Sequence, residues 1–319
     1  MPQAPAVSII VPCYKVTNYI ADALDSLRAQ SFRDFEAIVI NDGCPDTANL
    51  EAALEPYRNE IVYLKQSNQG VSAARNAAIH RSAGKQIALL DADDAWEPNY
   101  LAEHVAFLTS HPEIDAVYPN ARMFGNSSWA GRQFMDQFPS RGEVTFLSVL
   151  QQRCVVFAGL TARRDAMERA GLFDPTLRAV EDRDLWLRML HSGSRFAYHT
   201  KPLVRQRLHR FSLSDYQTRM VRSAIRAYAK LLVTLDLAEE ERDAVVEEIV
   251  KFNAQINLLG GRRALYSRDR YKAIKHFIRA NRVMRNRRLA AAIWTLRLCP
   301  TLLFTYVRTR FKTEESYIR

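Results

Sequence analysis

The chain has 319 residues, a formal net charge of +10, and 48% hydrophobic and 25% charged residues. These values are ordinary for a globular protein and exclude collagen-like, low-complexity and wholly disordered chains. The four cysteines lack the C-x-x-C spacing of a zinc ribbon or a dithiol redox site. Because the sequence shows neither a signal-peptide pattern nor a run of about 20 uncharged apolar residues, we expect a cytoplasmic protein without a membrane-spanning helix.

The positive charge is concentrated towards the C-terminus. Residues 261–319 contain 16 Lys and Arg against 3 Asp and Glu, so this segment carries +13 and the rest of the chain −3. Within it, the apolar run Leu289–Val307 is flanked by cations, a pattern that suits peripheral binding to an anionic membrane surface. A helical hairpin that packs on the rest of the chain, or a contact in a homo-oligomer, is the alternative. No nucleic-acid-binding motif is present, so we expect no nucleic-acid partner.

The first hundred residues alternate apolar strands with helical patterns. Strands are predicted at Val7–Val11, Glu36–Ile40, Ile61–Leu64 and Gln86–Leu90. Strands and helices that alternate in this way predict a Rossmann-like, doubly wound, mainly parallel α/β sheet. Ligands bind beyond the carboxyl ends of the strands in such sheets. The segments at that edge are Pro12–Tyr14, Asn41–Asp46 and Asp91–Asp94.

Later segments differ in character. The polar stretch 125–142 predicts a binding loop or a mobile loop. Beyond residue 214 strand patterns stop, and helices are predicted at Tyr216–Leu235, Glu239–Leu259, Arg268–Asn281 and Leu289–Arg310. We therefore divide the chain into an α/β domain, residues 1–214, and a basic α-helical C-terminal region, residues 215–319.

The segment Asp91-Ala-Asp-Asp94 is the strongest chemical signal. Three carboxylates within four residues repel one another unless a cation or hydrogen-bond donors compensate. Mg²⁺ or Mn²⁺ is the usual compensating ion, although a solvated helix-capping loop has the same composition. The pair Glu181-Asp182 has two interpretations as well, since carboxylates at a helix start are also favoured by the helix dipole.

Five sequence segments, in this order, closely resemble the family 2 glycosyltransferases of the GT-A fold. They are Val7-Ser-Ile-Ile-Val-Pro-Cys-Tyr14, Asn41-Asp-Gly43, Asn68-Gln-Gly-Val-Ser-Ala-Ala-Arg-Asn76, Leu90-Asp-Ala-Asp-Asp94, and Gly171-Leu-Phe-Asp174 followed by Glu181-Asp-Arg-Asp-Leu-Trp-Leu-Arg188. The resemblance covers roughly residues 5–215. Each motif is weak alone, and their order makes the signal strong.

The resemblance implies a nucleotide pocket at the start of the chain. Pro12 and Tyr14 would line the base, and Asp42 would bind the base or the ribose. Arg75 would lie on the base side of the same pocket, and Asp91 near the ribose.

The resemblance also implies a metal and a catalytic pair. Asp93 corresponds to the metal-binding member of the DxD motif, with Asp94 close by, and His209 more loosely to a histidine that closes over the metal or the diphosphate. Asp182 corresponds to the catalytic base, and Glu181 would orient it or the acceptor. Because attack comes from the face opposite the leaving group, Asp182 must face the Asp93 metal across the donor.

The function implied is inverting, metal-dependent transfer of one sugar from a nucleotide-diphosphate sugar, UDP-linked by resemblance, to a saccharide or lipid-linked acceptor hydroxyl. The setting would be cell-surface polysaccharide or glycolipid assembly. The Gln-x-x-Arg-Trp motif of processive synthases is missing, which favours single transfer. Lys15 and Cys44 replace the family's usual Asn and Ser, which leaves the nucleotide preference open.

Two other functions compete with transfer. A sugar-phosphate nucleotidyltransferase needs a Gly-rich phosphate loop after the first strand, where this chain has Pro12-Cys-Tyr-Lys15. A non-catalytic membrane-docking protein with a degenerate site would show no donor hydrolysis.

Overall fold

The structure is a computed structural model that describes residues 4–208 and 217–301. It contains two compact units, Met1–His209 and Arg210–Arg319. The domain boundary predicted near residue 214 and the site residue His209 both lie outside the described residues.

An eight-stranded mixed sheet organises the first unit. Its strands are β1 (Val7–Cys13), β2 (Phe35–Asp42), β3 (Val62–Gln66), β4 (Gln86–Leu89), β5 (Ala95–Trp96), β6 (Ala116–Gly125), β7 (Thr161–Arg163) and β8 (Phe196–Leu208). Its helices are α1 (Ile20–Arg28), α2 (Thr47–Leu54), α3 (Val71–Arg81), α4 (Tyr100–Ser110), α5 (Phe134–Gln137), α6 (Phe146–Leu150), α7 (Arg164–Arg169) and α8 (Glu181–His191). The predicted α/β class is confirmed.

The strand order is β3-β2-β1-β4-β7-β6-β8-β5. The first four strands along the chain pair in parallel, as predicted, because a helix lies between each strand and the next and returns the chain to the same end of the sheet. β1 is the central strand of this half, and its residues Val7, Ile9, Ile10 and Val11 are fully buried, as expected for a strand covered on both faces.

The other half of the sheet is mixed. Short β7 runs antiparallel to both β4 and β6, and two-residue β5 runs antiparallel to β8. β6 and β8 pair in parallel from Ala116 to Gly125. Among the described strands the sheet is therefore mixed, with four parallel and three antiparallel pairings.

The polar stretch 125–142 is more ordered than its composition predicts. After β6 the chain turns back, so that Met123 N–H donates to Arg132 O at 2.9 Å and Gly131 N–H donates to Met123 O at 2.7 Å. The short helix α5 then carries Phe134. We call residues 126–142 the β6 loop.

The second unit consists of helices α9 (Gln217–Thr234), α10 (Glu239–Tyr266), α11 (Arg270–Met284) and α12 (Arg287–Leu298). A small core joins the last three and contains Ala264, Leu265, Ala273, Phe277, Ile293 and Leu296. Gly261 permits close approach of α11, because a Cβ at this position would lie 2.3 Å from the ring of Phe277.

The predicted helix Leu289–Arg310 is interrupted at Cys299, because α12 ends at Leu298. Helix resumes at Pro300 and Thr301, and residues 302–310 lie outside the described part of the chain. Cys299 leaves the helical region with φ −138° and ψ 69°. The physical reason is Pro300, whose ring disfavours helical backbone at the preceding residue.

A buried histidine couples the first unit to pH. His104 on α4 is fully buried, and its Nδ1 lies 2.9 Å from Thr161 Oγ1, while its Nε2 has no hydrogen-bond partner. Burial, and secondarily the nearby His199, lower the pKa of His104 well below its usual range. The folded protein therefore holds this imidazole neutral.

We predict that the first unit loses stability as pH falls below about 6.5, the usual pKa of histidine in an unfolded chain. Below this pH, His104 is protonated in the unfolded state but stays neutral in the folded state. The free energy of unfolding therefore falls by about 1.4 kcal/mol for each pH unit of acidification, for this group alone. Urea unfolding from about pH 7 to pH 5 should show a shallower pH dependence for His104→Gln than for wild type. Equal slopes for the two proteins would contradict the assignment.

Candidate active site

The carboxyl ends of β1, β2 and β4 lie side by side. Cys13 at the end of β1 is opposite Asn41 near the end of β2, and Leu90 N–H donates to Ile10 O at 3.1 Å. The polar segments that follow these strands therefore converge on one edge of the sheet, where open α/β sheets bind their ligands.

Arg75 joins two acidic segments at this edge. It lies on α3 with a side chain only 4% exposed. Its Nη2 donates to Asp91 Oδ1 at 2.8 Å, and its Nη1 donates to Glu181 Oε1 at 2.9 Å. Because a guanidinium carries its donors in fixed directions, this one cation sets the distance between the segment after β4 and the start of α8.

The role predicted for Arg75 is thereby refined. Two of the three guanidinium nitrogens, Nη1 and Nη2, donate to carboxylates, and the buried Nε has no hydrogen-bond partner. Its guanidinium also lies 5.1 Å from the ring of Phe173. These contacts make Arg75 a positioning residue, while its contact with a nucleotide base stays a prediction.

The carboxylates around Arg75 influence one another. Burial raises the pKa of Glu181 to about 7, with a further contribution from Asp182 and an opposing one from Arg75. Desolvation also raises the pKa of Asp91, Arg75 opposes that shift, and the charges of Asp93 and Asp182 add to it. The charges of Asp93 and Asp182 thus both contribute to the raised pKa of Asp91, and their roles as metal ligand and base stay predictions.

Arg207 of β8, a strand in the other half of the sheet, holds Asp94. Arg207 N–H donates to Asp94 Oδ1 at 2.8 Å, and its Nε donates to Asp93 O at 3.0 Å. Burial raises the pKa of Asp94 well above its usual range, and the charges of Asp93 and Asp91 add to the shift. Arg207 also donates to Asp22 Oδ2 at 2.5 Å, so it anchors the acidic segment to α1.

The acidic segment has the right chemistry for a divalent cation. Asp91, Asp93 and Asp94 bring carboxylate oxygens and excess negative charge to one place, which is what Mg²⁺ and Mn²⁺ require. Among residues 4–208 and 217–301, however, no three His, Cys, Asp or Glu side chains are arranged to enclose a metal ion. Metal binding by this segment stays a prediction.

On the nucleotide side, Asp42 shapes a loop. Its Oδ1 accepts hydrogen bonds from Gln66 Nε2 at 2.7 Å and Gln69 N–H at 2.9 Å, and its Oδ2 accepts from Gly70 N–H at 2.9 Å. A carboxylate accepts about four hydrogen bonds, so little capacity remains for a base or ribose. That contact stays a prediction.

The remaining predicted nucleotide residues lie at the end of β1. Pro12 is half-buried and Tyr14 is exposed. Lys15 has a left-handed backbone, φ 58°, and its Nζ lies 5.3 Å from the ring of Tyr14. The aromatic face and the cation are thus available beside the predicted pocket, and contact with a base remains untested.

The start of α8 is strained. Val180, the residue before Glu181, has φ 64° and ψ 16°. β-Branched residues rarely adopt this left-handed conformation, which costs about 1–3 kcal/mol and is found mainly at functional sites. The turn delivers Glu181 to Arg75 and leaves the half-buried Asp182 as the next residue along the helix.

Sequence reasoning missed a second arginine, Arg178. Its Nη1 donates to Gln69 O at 2.9 Å, and a Cβ at Gly70 would lie 2.4 Å from the same nitrogen. Gly70, with φ 93°, therefore admits Arg178 beside the loop that Asp42 holds. Nothing in the sequence around an exposed loop arginine signals this contact.

Comparisons with known proteins identify the family of the chain. The model of glycosyl transferase family 2 matches residues 8–169, so the chain belongs to glycosyl transferase family 2. A glycosyltransferase of Rickettsia prowazekii, described as uncharacterized, is 28% identical over 212 residues, which are 65% of each chain. EpsH of Bacillus subtilis, which its name assigns to the glycosyltransferases, is 31% identical over 240 residues, 71% of this chain and 68% of that protein.

Solved structures show the same fold. Residues 1–349 of TarS from S. aureus, in complex with UDP-GlcNAc, superpose with a TM-score of 0.64 at 19% identity, covering 91% of this chain and 87% of that one. The mannosyltransferase PcManGT from Pyrobaculum calidifontis, in complex with GDP-Man and Mn²⁺, gives a TM-score of 0.62 at 16% identity and covers 99% and 86%. Identities this low establish the architecture alone.

We predict that Arg75→Met lowers the free energy of unfolding by about 3 kcal/mol, because it leaves the buried Glu181 and the partly exposed Asp91 without their cation. Chemical denaturation measures this change. Arg28→Met is the matched control, since its ion pair with Glu60 is solvent-exposed and its loss should matter little. Equal denaturation midpoints for the two variants would show that Arg75 does not organise the site.

Proposed function

We propose that the protein transfers one sugar from a nucleoside diphosphate sugar to an acceptor hydroxyl with inversion at the anomeric carbon. The observation that carries this proposal is the pair of ion pairs by which Arg75 joins Asp91 to Glu181. Asp91 belongs to the acidic segment after β4 and Glu181 to α8, and inverting transfer requires acidic groups on both sides of a donor sugar.

The leaving group is a nucleoside diphosphate. In our proposal Asp93 holds a divalent cation, with Asp94 and His209 contributing beside it. Such a cation supplies Lewis-acid stabilisation of the charge that develops on the leaving oxygen. Arg207 holds the acidic segment through Asp94 Oδ1 and the main-chain oxygen of Asp93, so the backbone that carries Asp93 is fixed before substrate binds.

The acceptor hydroxyl must lose its proton as it attacks. We assign that proton to the carboxylate of Asp182. Glu181, which Arg75 holds at 2.9 Å, positions the start of α8 and orients the base or the acceptor. General base catalysis of this kind contributes about 10²–10⁴ in rate.

The donor and the setting are supported by relatives. The TarS structure contains UDP-GlcNAc, and PcManGT contains GDP-Man with Mn²⁺. A Bacillus subtilis relative, TuaG, is named for teichuronic acid biosynthesis. From these we propose a UDP-linked donor, Mg²⁺ or Mn²⁺ dependence, and a role in cell-surface polysaccharide or glycolipid assembly.

We predict that Asp182→Asn lowers the rate of sugar transfer by about 10²–10⁴ because the amide cannot accept the acceptor proton, while donor binding persists. Transfer from UDP-GlcNAc with Mn²⁺, and binding of UDP measured by calorimetry, test the two halves of this statement. Asp165→Asn, an exposed carboxylate on α7, should leave both unchanged. Near wild-type transfer by Asp182→Asn would remove Asp182 from the role of base.

We also propose that the second unit brings the enzyme to an anionic membrane surface that presents a lipid-linked acceptor. Residues 261–301 carry 12 Lys and Arg and a single Asp. Each cation near an anionic leaflet adds about 1 kcal/mol of attraction. No helix in the described ranges has both the length and the apolar content that a bilayer crossing requires.

The exposed face of α12 has the composition of an interfacial anchor. Trp294 is 61% and Leu298 74% exposed, on the side opposite buried Ile293 and Leu296. The Arg297 guanidinium lies 5.8 Å from the Trp294 ring, and Arg270 Nη2 donates to Arg297 O at 2.6 Å. That bond brings the start of α11, with its 87% exposed Tyr271, to the same end of the hairpin. Aromatic and cationic side chains together favour the membrane–water interface.

We predict that the wild-type protein co-sediments with vesicles of phosphatidylcholine and phosphatidylglycerol but not with phosphatidylcholine alone. The double variant Trp294→Ala/Leu298→Ala should bind the anionic vesicles at least about tenfold more weakly, because it removes the apolar area that enters the interface. Val233→Ala, which truncates an 85% exposed side chain on α9, is the matched control. Equal binding by the double variant would reject this anchor, and a monomer–dimer change without vesicle binding would assign the face to a homo-oligomer.

A further inference from the structure

The β6 loop presents aromatic rings to solvent. Trp129 and Phe138 are 37% and 39% exposed, and their ring centroids lie 5.8 Å apart at an interplanar angle of 28°. Two nearly parallel rings of this kind offer a shared apolar face. Exposing it to water is unfavourable, and an occupant that covers it would gain the corresponding area.

These two rings are the outer end of a row that leads inward. Phe138 contacts Phe134 at a centroid distance of 4.9 Å, and Phe134 contacts Phe157 at 5.0 Å with an edge-to-face angle of 73°. Phe157 is buried beside Gly159, where a Cβ would lie 2.9 Å from its ring. The row fixes the position of Trp129 and Phe138, because each ring packs on the next.

The inner end of the row reaches the base of the acidic segment. Leu89 N–H, at the end of β4, donates to Leu160 O at 3.0 Å. Gly159 is also close, since its Cβ position is 3.5 Å from Leu89 O. Asp91 follows two residues after Leu89. The aromatic row therefore runs from the end of β4 out to solvent.

The outer end of the row belongs to the same edge of the sheet. Phe124 of β6 lies opposite Arg207 of β8, whose N–H holds Asp94. The β6 loop begins two residues after Phe124. The loop that carries the exposed rings therefore leaves β6 in the half of the sheet that holds Asp94, whereas the loop that Asp42 holds follows β3 in the other half.

The surroundings of the rings are polar. Asn126 and Arg132, both exposed, lie on either side of Trp129 in the loop. A pyranose ring has one face of C–H groups and an edge of hydroxyls, so it packs its apolar face on an aromatic ring and directs its hydroxyls to amide and guanidinium donors. An apolar lipid chain has no hydrogen-bond acceptors for these donors.

We propose that Trp129 and Phe138 form a stacking subsite for a saccharide acceptor, at a sugar unit beyond the one whose hydroxyl is attacked. The inference rests on the proposed transfer reaction and adds to it the acceptor class: an oligosaccharide of at least two units. Since several rings separate Trp129 from Leu89, the subsite binds the second or a later unit and takes no part in the chemical step.

The experiment compares para-nitrophenyl monosaccharides with para-nitrophenyl disaccharides as acceptors, using UDP-GlcNAc and Mn²⁺. For the wild type we expect a lower KM for the preferred disaccharide than for its monosaccharide. Trp129→Ala and Phe138→Ala should each raise the disaccharide KM about tenfold with kcat nearly unchanged, which is the effect of losing one stacking contact. Trp129→Phe should restore most of the affinity, and monosaccharide kinetics should not change.

Donor hydrolysis in the absence of acceptor separates this inference from the proposed function. If wild type and Trp129→Ala hydrolyse the donor at the same rate and also have the same KM for the disaccharide, the stacking subsite is wrong. The transferase assignment then stands. A wild type that shows no preference for any disaccharide also rejects the subsite. If the wild type does not hydrolyse the donor at all, the proposed function is rejected. Val246→Ala, which truncates a 46% exposed side chain on α10, is the control for removal of exposed apolar surface.

Discussion

The two ion pairs of Arg75 are the constraint on which the site depends. A single guanidinium, almost fully buried, binds Asp91 after β4 and Glu181 at the start of α8. Without it, the carboxylates at this edge would repel one another and the two segments would separate. With it, the half of the sheet that carries the nucleotide-side loops is tied to the helix that carries the proposed base. Arg207 of β8 likewise restrains the acidic segment, because its main-chain N–H donates to Asp94.

This arrangement explains why the site carries so much uncompensated acid. Glu181, Asp91 and Asp94 all have raised pKa values, with burial or desolvation as the largest cause in each case. A protein that only needed stability would replace such groups with apolar side chains. Crowded carboxylates and a strained Val180 are instead typical of a site that is completed by a charged ligand. The proposed nucleotide sugar and its cation supply that complement.

Sequence patterns predicted the parallel half of the sheet because a helical pattern separates each of its strands from the next. They also predicted which strand ends would meet, since ligand-binding edges follow from strand order. The mixed half could not be predicted in the same way: β5 and β7 are too short to produce a pattern, and their antiparallel pairing depends on contacts with distant strands. Arg178 and Arg207 escaped for a related reason, because a single arginine in a loop or strand acquires its role only when folding brings a partner beside it. The interruption at Cys299 follows from local geometry, because Pro300 disfavours helical backbone at the residue before it.

The most direct test of the central claim is a crystal structure with UDP, a non-transferable sugar donor and Mn²⁺, recorded with anomalous scattering at the manganese edge. Our account predicts an anomalous peak about 2.2 Å from a carboxylate oxygen of Asp93, with the anomeric carbon of the donor between that ion and the Asp182 carboxylate. A manganese peak away from the acidic segment, or an Asp182 side chain on the same side of the sugar as the diphosphate, would contradict it.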